Sequence, residues 1–432
     1  MSIFQRIGQY FRRKRMKKSL RMRGYAGKRS VSKVYSSPMI PIVKVVAVIL
    51  VIAGVGFAVY HWGVPYAKTL FAEDAAAPTP TPIATPTPPP ATYAKADMSD
   101  LETEVMIPHW FIADPYYYNG KIIYTSGDEA ATAPNAINHV IIFDIGSSSY
   151  TIVETPPRLV GDSGAADEPA GNNLFGAKMN ETWIVWIESD YNNKGGGRIM
   201  AYDRSTNTSF VLREYLYGMP KLFLSGDYCL FNISTGSKSD KIYLYDLANQ
   251  EVVMLRSYDY SKEPFSISTP SICESEIIWV DAMAEDTGTT QTTIKSLKIK
   301  EDLSFENEPY VFDTYVFDPV TNGEAIAFLN TQRSLSGDLM VSVGGNEPVV
   351  VATGVLNFDL GDHFVAYTKD QAIYVYYWAD GSTGRLSNSN SQAILASVTG
   401  NVVLWYDITD GIIGAAEKNR DVLKMAEVPF ER

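Results

Sequence analysis

The sequence is poor in cysteine and histidine, and both shortages narrow the class of protein. It has two cysteines, Cys229 and Cys273, and four histidines among 432 residues. Two cysteines exclude a disulfide framework for a chain of this length. One bridge between them is the alternative to the two buried thiols on strands that we expect. No histidine or cysteine pair has the spacing of a zinc site, so we predict no metal.

Recognisable catalytic motifs are also missing. Gly161–Gly164 reads GDSG, as around the nucleophile of chymotrypsin-like proteases, but no histidine stands in a matching motif. Asp190–Gly195 begins like a calcium loop, although its fifth position is Lys and its twelfth is Ala201. Asp286–Thr290 resembles the Asp-box turn of sialidase propellers, which is structural. We therefore predict no catalytic residue and no cofactor, and we expect that the chain is not an enzyme.

Acidic residues are absent from the first 44 positions, which contain 13 Lys and Arg. The uncharged run from Val45 to Trp62 follows directly after Lys44. As a helix this run would span roughly 27 Å, enough to cross a lipid bilayer. Tyr60 and Trp62 stand where an aromatic belt belongs. The sequence therefore predicts a basic tail over 1–41 and one transmembrane helix over 42–64, with Lys44, Val45, Tyr60 and Trp62 as membrane-anchor residues.

The position of the basic residues predicts the orientation of this helix. Lys and Arg next to a membrane span remain in the cytoplasm, so the N-terminus is expected inside and the remainder outside. A cleaved signal peptide fits less well, because about 40 residues precede the apolar run and no small-residue cleavage site follows it promptly. We expect a single-pass signal-anchor protein of the cell membrane, in a bacterium.

The part of the chain after the predicted span is strongly acidic. It contains 24 Lys and Arg against all 49 Asp and Glu. Nucleic acid is therefore not expected as its partner. Residues 65–103 read as an extracytoplasmic linker, because Ala75–Ala94 contains seven prolines, which favour extended polyproline II structure.

From Leu101 onward the sequence has the short, β-branched and aromatic runs of an all-β protein, and these runs repeat. One kind of segment recurs seven times, at intervals of 38 to 61 residues, mostly after a turn residue. It starts at Lys121, Thr182, Tyr228, Glu276, Glu324, His363 and Asn401. Such repetition of short strands predicts a β-propeller over residues 104–432.

The clearest unit consists of four strands, at Lys221–Leu224, Tyr228–Ile233, Lys241–Asp246 and Glu251–Leu255. Four antiparallel strands in about 40 residues correspond to one blade. Counting such units favours seven blades, with six and eight as the alternatives. The last unit is predicted from Ile394–Val398, Val402–Tyr406, Gly411–Ala415 and Val422–Val428, and the first and last units are candidates for sharing a blade that closes the ring.

Segments such as GDYCLFNIS, KIYLYDLANQEVVML and ETWIVWIES resemble the blades of TolB-like and related extracytoplasmic β-propellers. The resemblance covers roughly residues 105–430 and lies in strand alternation and in Gly-Asp and Tyr-Asp pairs. It implies a protein-binding or envelope-scaffold module.

The strand Ile373–Trp378 is rich in aromatics. Alternation places Tyr374, Tyr376 and Trp378 on one face and Ile373, Val375 and Tyr377 on the other. We predict that both faces pack between blades; a stacking platform for sugars or a peptide is the alternative.

Taken together, these features predict a membrane-anchored extracytoplasmic propeller that acts as a non-catalytic binding or scaffold module in the cell envelope. The expected partner is an envelope protein, a peptide or a glycan at one propeller face. One alternative is a transmembrane sensor that signals through the basic tail. The other is a propeller enzyme such as a glycosidase or lyase, for which carboxylates should converge on the central axis.

Overall fold

The computed structural model of the protein describes residues 95–429. The segments 128–136, 156–171, 191–195, 217, 219, 235–238, 260–268, 275, 285–289, 300–304, 311–315, 331–336 and 411–419 are not included in that description. The predicted tail, the transmembrane helix with Lys44, Val45, Tyr60 and Trp62, and the linker up to residue 94 all lie outside the described residues. No helix among the described residues is long and apolar enough to cross a bilayer.

The described residues form an all-β propeller of seven blades, which confirms the predicted fold class and the favoured blade number. Five blades each consist of four consecutive antiparallel strands, with the first strand innermost. Blade 1 contains β3 (Ala113–Tyr118), β4 (Lys121–Ser126), β5 (His139–Asp144) and β6 (Ser149–Val153). Blade 2 contains β7 (Asn172–Met179), β8 (Trp183–Asp190), β9 (Gly197–Asp203) and β10 (Thr208–Tyr215). Blade 3 contains β11 (Leu222–Ser225), β12 (Tyr228–Ser234), β13 (Ser239–Asp246) and β14 (Glu251–Asp259). Blade 4 contains β15 (Ser271–Cys273), β16 (Glu276–Ala284), β17 (Thr290–Ile299) and β18 (Phe305–Tyr310). Blade 5 contains β19 (Phe317–Thr321), β20 (Ala325–Leu329), β21 (Gly337–Val343) and β22 (Val349–Val355).

The last two blades combine strands from both ends of the propeller sequence. Blade 6 contains β23 (Asn357–Leu360), β24 (Phe364–Lys369), β25 (Ala372–Tyr377) and β26 (Thr383–Arg385), and blade 7 contains β27 (Ala393–Thr399), β28 (Val402–Asp407) and β29 (Val422–Glu427). The outermost strands come from the beginning of the propeller: β1 (Lys95–Asp97) pairs parallel with β26, and β2 (Thr103–Val105) pairs antiparallel with β29. The ring is therefore closed by strands that precede the first blade.

This closure corrects the predicted last unit. Val422–Val428 was expected to be the fourth strand of its blade, whereas β29 is the third and β2 is the fourth. The expected strand Gly411–Ala415 lies outside the described residues. The sharing of a blade between the two ends, in contrast, is confirmed. A three-residue strand at the edge of the last sheet has too little periodicity to be recognised from sequence.

The segment 95–107, which precedes the first blade and is called the N-terminal segment of the propeller here, is held to blades 6 and 7 by buried and charged contacts. Met98 is 3% exposed and lies in the hydrophobic core between these blades. The chain packs closely here, since a Cβ added at Gly384 would overlap the Met98 sulfur. On β29, Lys424 Nζ lies 2.9 Å from a Glu104 carboxylate oxygen and 3.6 Å from one of Glu102.

Each pair of neighbouring blades encloses its own hydrophobic core, and seven such cores follow one another around the ring. β25 shows how one strand serves two of them. Ile373, Val375 and Tyr377 lie in the core toward blade 7, and Tyr374 and Tyr376 pack against the core toward blade 5. The predicted alternation and interblade packing of this strand are confirmed.

Replacement of Met98 by alanine tests whether the N-terminal segment stabilises the ring. Loss of this buried side chain should lower the free energy of unfolding by about 2–5 kcal/mol. Met106 is the matched control, because it lies in the same segment and is 68% exposed; M106A should change the value by less than about 0.5 kcal/mol. Urea unfolding of the full-length protein, monitored by tryptophan fluorescence, measures both variants. Equal effects of M98A and M106A would contradict the assigned role of the segment.

Candidate functional site

The seven inner strands enclose a central channel. These strands are β3, β7, β11, β15, β19, β23 and β27, and each contacts the inner strands of both neighbouring blades. The backbones of these strands form the channel wall. A side chain of an inner strand that does not pack between two blades therefore lies in or next to the channel.

Three inner strands carry the same bulge. In β3, β7 and β19 two residues oppose a single residue of the second strand, namely Tyr124, Trp186 or Phe328, and all three aromatics are fully buried. The first bulge residue has a positive φ in each case: 48° at Asp114, 59° at Gly176 and 47° at Asp318. Aspartate and glycine tolerate this conformation better than most residues. A bulge redirects the residue that follows it, and here those residues are Tyr116, Lys178 and Val320.

Hydrogen bonds across blade boundaries fix four of the inner strands relative to one another. Asp359 Oδ2 accepts the Val398 N–H at 3.1 Å, which joins blade 6 to blade 7. Ser397 Oγ donates to the Pro115 carbonyl at 2.7 Å, which joins blade 7 to blade 1. Asp114 Oδ2 accepts the Gly176 N–H at 3.0 Å, which joins the bulges of blades 1 and 2.

Lys178 projects into the channel from blade 2. Its ammonium nitrogen lies 4.4 Å from the centre of the Tyr116 ring, a cation–π contact with blade 1. Burial lowers the pKa of Lys178, while the charges of Asp359 and Asp114 oppose this shift. Blades 2 and 6 are not neighbours, so Lys178 and Asp359 interact across the channel. Within the described part of the chain, the side chain of Lys178 has no hydrogen bond or ion pair.

Asp359 and Tyr116 complete this group. Burial raises the pKa of the Asp359 carboxyl, against the effect of its hydrogen bonds from the Val398 and Leu360 amides and of the Lys178 charge. Burial likewise raises the pKa of the Tyr116 phenol. We name Asp114, Tyr116, Lys178 and Asp359 the channel cluster. It brings a cation, two carboxylates and a phenol close together, and groups with shifted pKa values, here Lys178, Asp359 and Tyr116, are typical of binding and catalytic sites.

The channel cluster lies toward one end of the channel. Lys178, Asp359 and Val398 are each the penultimate residue of their inner strand, next to the turn that leads to the second strand. We name the surface formed by these inner-to-second-strand turns the turn face. Its turns are interlocked: Asn180 Nδ2 donates to the Gly226 carbonyl at 2.7 Å, and Asn322 Nδ2 to the Gly361 carbonyl at 2.7 Å.

The residues singled out from sequence lie elsewhere. Gly161–Gly164 and most of Asp286–Thr290 are outside the described residues, and Asp190 is the last residue of β8. His109 is buried, with its Nδ1 2.6 Å from the Tyr124 hydroxyl. Among the described residues no group of three His, Cys, Asp or Glu side chains is arranged to hold a metal ion.

Both cysteines are free thiols on strands, as expected, but the predicted burial holds only for Cys229. Cys229 lies on β12 and is fully buried, and Cys273 lies at the end of β15 and is half-buried. Burial raises the pKa of Cys229 above its ordinary value and that of Cys273 to about 11. Neither thiol is therefore activated as a nucleophile.

The channel cluster is not recognisable from the sequence. Lys178 belongs to no recognisable motif. A weak signal was present in the repeated Asp-Pro pair, Asp114-Pro115 and Asp318-Pro319, each in the first strand of a predicted unit. Only the bulge geometry shows that this pair corresponds to Gly176-Ala177 in blade 2.

Comparison with known proteins gives structural similarity only. No family model and no curated protein matches the sequence. The β-propeller domain of the trilobed protease from Pyrococcus furiosus is 15% identical, with 73% of this chain and 94% of that chain covered and a TM-score of 0.48. Acylaminoacyl peptidase from Pyrococcus horikoshii is 11% identical, with 73% and 51% covered and a TM-score of 0.44. TolB from Acinetobacter baumannii is 15% identical, with 71% and 63% covered and a TM-score of 0.36.

These similarities confirm the resemblance to TolB-like and related propellers at the level of the fold. The chain spans only about half the length of the acylaminoacyl peptidase. The prediction that the chain is not an enzyme is wrong as an exclusion, since several of the similar structures belong to proteins named as proteases or peptidases. These similarities describe the fold and assign no activity to this chain. Two carboxylates, of Asp114 and Asp359, do reach the channel, although the enzyme alternative named no particular residue.

At pH 7 the variants K178M and K424M should differ from the wild type in stability with opposite signs, and both differences should diminish at high pH. The pKa of Lys178 is lower in the folded than in the unfolded chain, so the folding free energy becomes more favourable as the pH rises toward 10.5. K178M should therefore be at least as stable as the wild type at pH 7, and the difference should shrink toward pH 10.5.

Lys424 is the matched control for this measurement. Burial lowers its pKa, but the hydrogen bond to Glu104 and the charges of Glu104 and Glu102 outweigh burial and raise it. K424M should thus be less stable than the wild type at pH 7, and this difference should disappear only above pH 10.5. Urea unfolding at several pH values measures both variants. A destabilised K178M whose deficit closes at high pH would contradict the assigned environment of Lys178.

Proposed function

We propose that the chain is a membrane-anchored protein of the cell envelope whose propeller binds its partner at the turn face. The basic tail, the apolar run over 42–64 and the proline-rich linker support the anchoring and the outward orientation. The partner is an envelope protein, a peptide or a glycan. Nucleic acid is disfavoured by the acidic character of the propeller.

The channel cluster is the observation that carries this proposal. A partly desolvated ammonium group is unfavourable unless a counter-charge or a ligand compensates it. The fold does not require a cation here, because Val320 occupies the equivalent position after the bulge of blade 5. The carboxylates of Asp114 and Asp359, which hold the neighbouring backbone, lie close enough for their charges to act on Lys178. A cation retained at a position that accepts valine supports a role in binding.

The turn face is also the surface best built to hold a partner. Its turns are linked from blade to blade by side-chain and backbone hydrogen bonds, including the one from the Asp362 N–H to the Gly400 carbonyl at 3.0 Å. A surface that is ordered before binding loses little conformational entropy when a partner arrives.

Site-specific photo-cross-linking in intact cells tests the binding face. A photoreactive amino acid at Glu181, an exposed turn-face residue three positions after Lys178, should cross-link to a partner. At Met254, 51% exposed on the outer strand of blade 3, it should not. K178M should weaken the adduct from position 181. Cross-linking from position 254 alone would contradict the proposal.

Labelling of introduced cysteines tests the orientation. In a C273S background, with Cys229 fully buried, a membrane-impermeant maleimide added to intact cells should label T353C on β22. The same reagent should leave S19C in the basic tail unlabelled until the cells are lysed. Labelling of S19C, or protection of T353C, in intact cells would overturn the proposed topology.

A further inference from the structure

We propose that the channel cluster binds a small zwitterion, a molecule that carries a carboxylate and an ammonium group a few bonds apart. In this assignment the carboxylate accepts hydrogen bonds from Lys178 and the ammonium group donates to Asp359. The inference rests on the proposed role of the channel in binding and specifies the chemistry of its ligand.

The two charged groups are separate and individually held. Lys178 is positioned by the Tyr116 ring on one side of the channel, and Asp359 by the amides of Val398 and Leu360, at 3.1 and 3.0 Å, on the other. No direct ion pair joins them in the described structure. A pair of opposite charges that face one space without contact matches a ligand with the reverse polarity.

Lys178 also has unused hydrogen-bond donors, and Asp359 has unused acceptor positions. An ammonium group has three donors, and none of those of Lys178 is used by a described residue. A carboxylate has about four acceptor positions, and the described hydrogen bonds to Asp359 use two. Donors therefore remain on one side and acceptors on the other, as a carboxylate and an ammonium group of a ligand would need.

An ion of a single sign satisfies only one of the two charged groups. An anion at Lys178 would meet the negative potential of Asp359, of Asp114 and of the acidic outer chain, with its 24 basic and 49 acidic residues. A cation at Asp359 would meet Lys178. A zwitterion has no net charge and satisfies both groups at once.

The position of Asp114 adds a geometric reason. Its carboxylate holds the Gly176 N–H at 3.0 Å and thereby fixes the bulge from which Lys178 projects. Gly176 has φ 59°, a conformation that a β-branched residue would resist. The cation is thus set in place by the backbone before any ligand arrives.

Isothermal titration calorimetry with the full-length protein in detergent tests this assignment. The probes are glycine, β-alanine, 4-aminobutyrate and 6-aminohexanoate, which separate the two charges by increasing distances. Butyrate, butylamine and glucose are the anionic, cationic and neutral controls. At least one zwitterion should bind about tenfold or more tightly than every control, since two charge-assisted hydrogen bonds distinguish it from each.

Three variants locate the site. K178M and D359N should each weaken binding of the preferred zwitterion by about tenfold or more. Asp318→Asn is the matched control, because Asp318 lies on an inner strand at the corresponding bulge of blade 5 and outside the channel cluster; D318N should leave the affinity unchanged. If a variant fails to fold, the series with the wild-type protein still decides between the ligand classes.

Three results of this titration would overturn the inference. The first is equal affinity for butyrate, butylamine or glucose, and the second is no binding by any zwitterion. The third is full affinity for the preferred zwitterion in both K178M and D359N. If the zwitterions fail while cross-linking from Glu181 persists and depends on Lys178, only the ligand class is wrong. If that cross-linking fails as well, the proposed function fails with it.

Discussion

The structure depends on closure of the ring by its first two strands. Each hydrophobic core lies between two blades, so a blade is stable only when both of its neighbours are present. Blades 6 and 7 obtain their outermost strands from Lys95–Asp97 and Thr103–Val105. Met98 fills the core between them, and Lys424 forms ion pairs with Glu102 and Glu104. The position of every inner strand, and hence the geometry of the channel, follows from this closure.

Within the closed ring, small departures from regular strand geometry generate the candidate site. The bulges of β3 and β7 accommodate Tyr124 and Trp186 in the core and bring Lys178 over the ring of Tyr116. The corresponding bulge of blade 5 is followed by Val320, which packs against the core between blades 5 and 6. The scaffold is therefore repeated, whereas the chemistry is confined to a few positions. This separation of fold from site explains why similarity to other propellers describes the architecture without describing the ligand.

The sequence predicted the parts of the fold that have strong local periodicity. The seven recurring segments are the second strands of the seven blades, β4, β8, β12, β16, β20, β24 and β28, because these strands are buried on both faces and are rich in β-branched and aromatic residues. The edge strand Thr103–Val105 was missed because three residues carry no usable period. The channel cluster was missed because Lys178 and Asp359 are 181 positions apart and meet only through the ring.

The parallel pairing of β1 with β26 has a mechanical consequence. The chain enters the propeller at Lys95, and the first strand it forms is the outermost one of blade 6. Any tension transmitted along the preceding residues would reach this short strand and then β2 before it reaches a complete blade. The six residues of these two short strands are thus the first part of the propeller on which such tension would act.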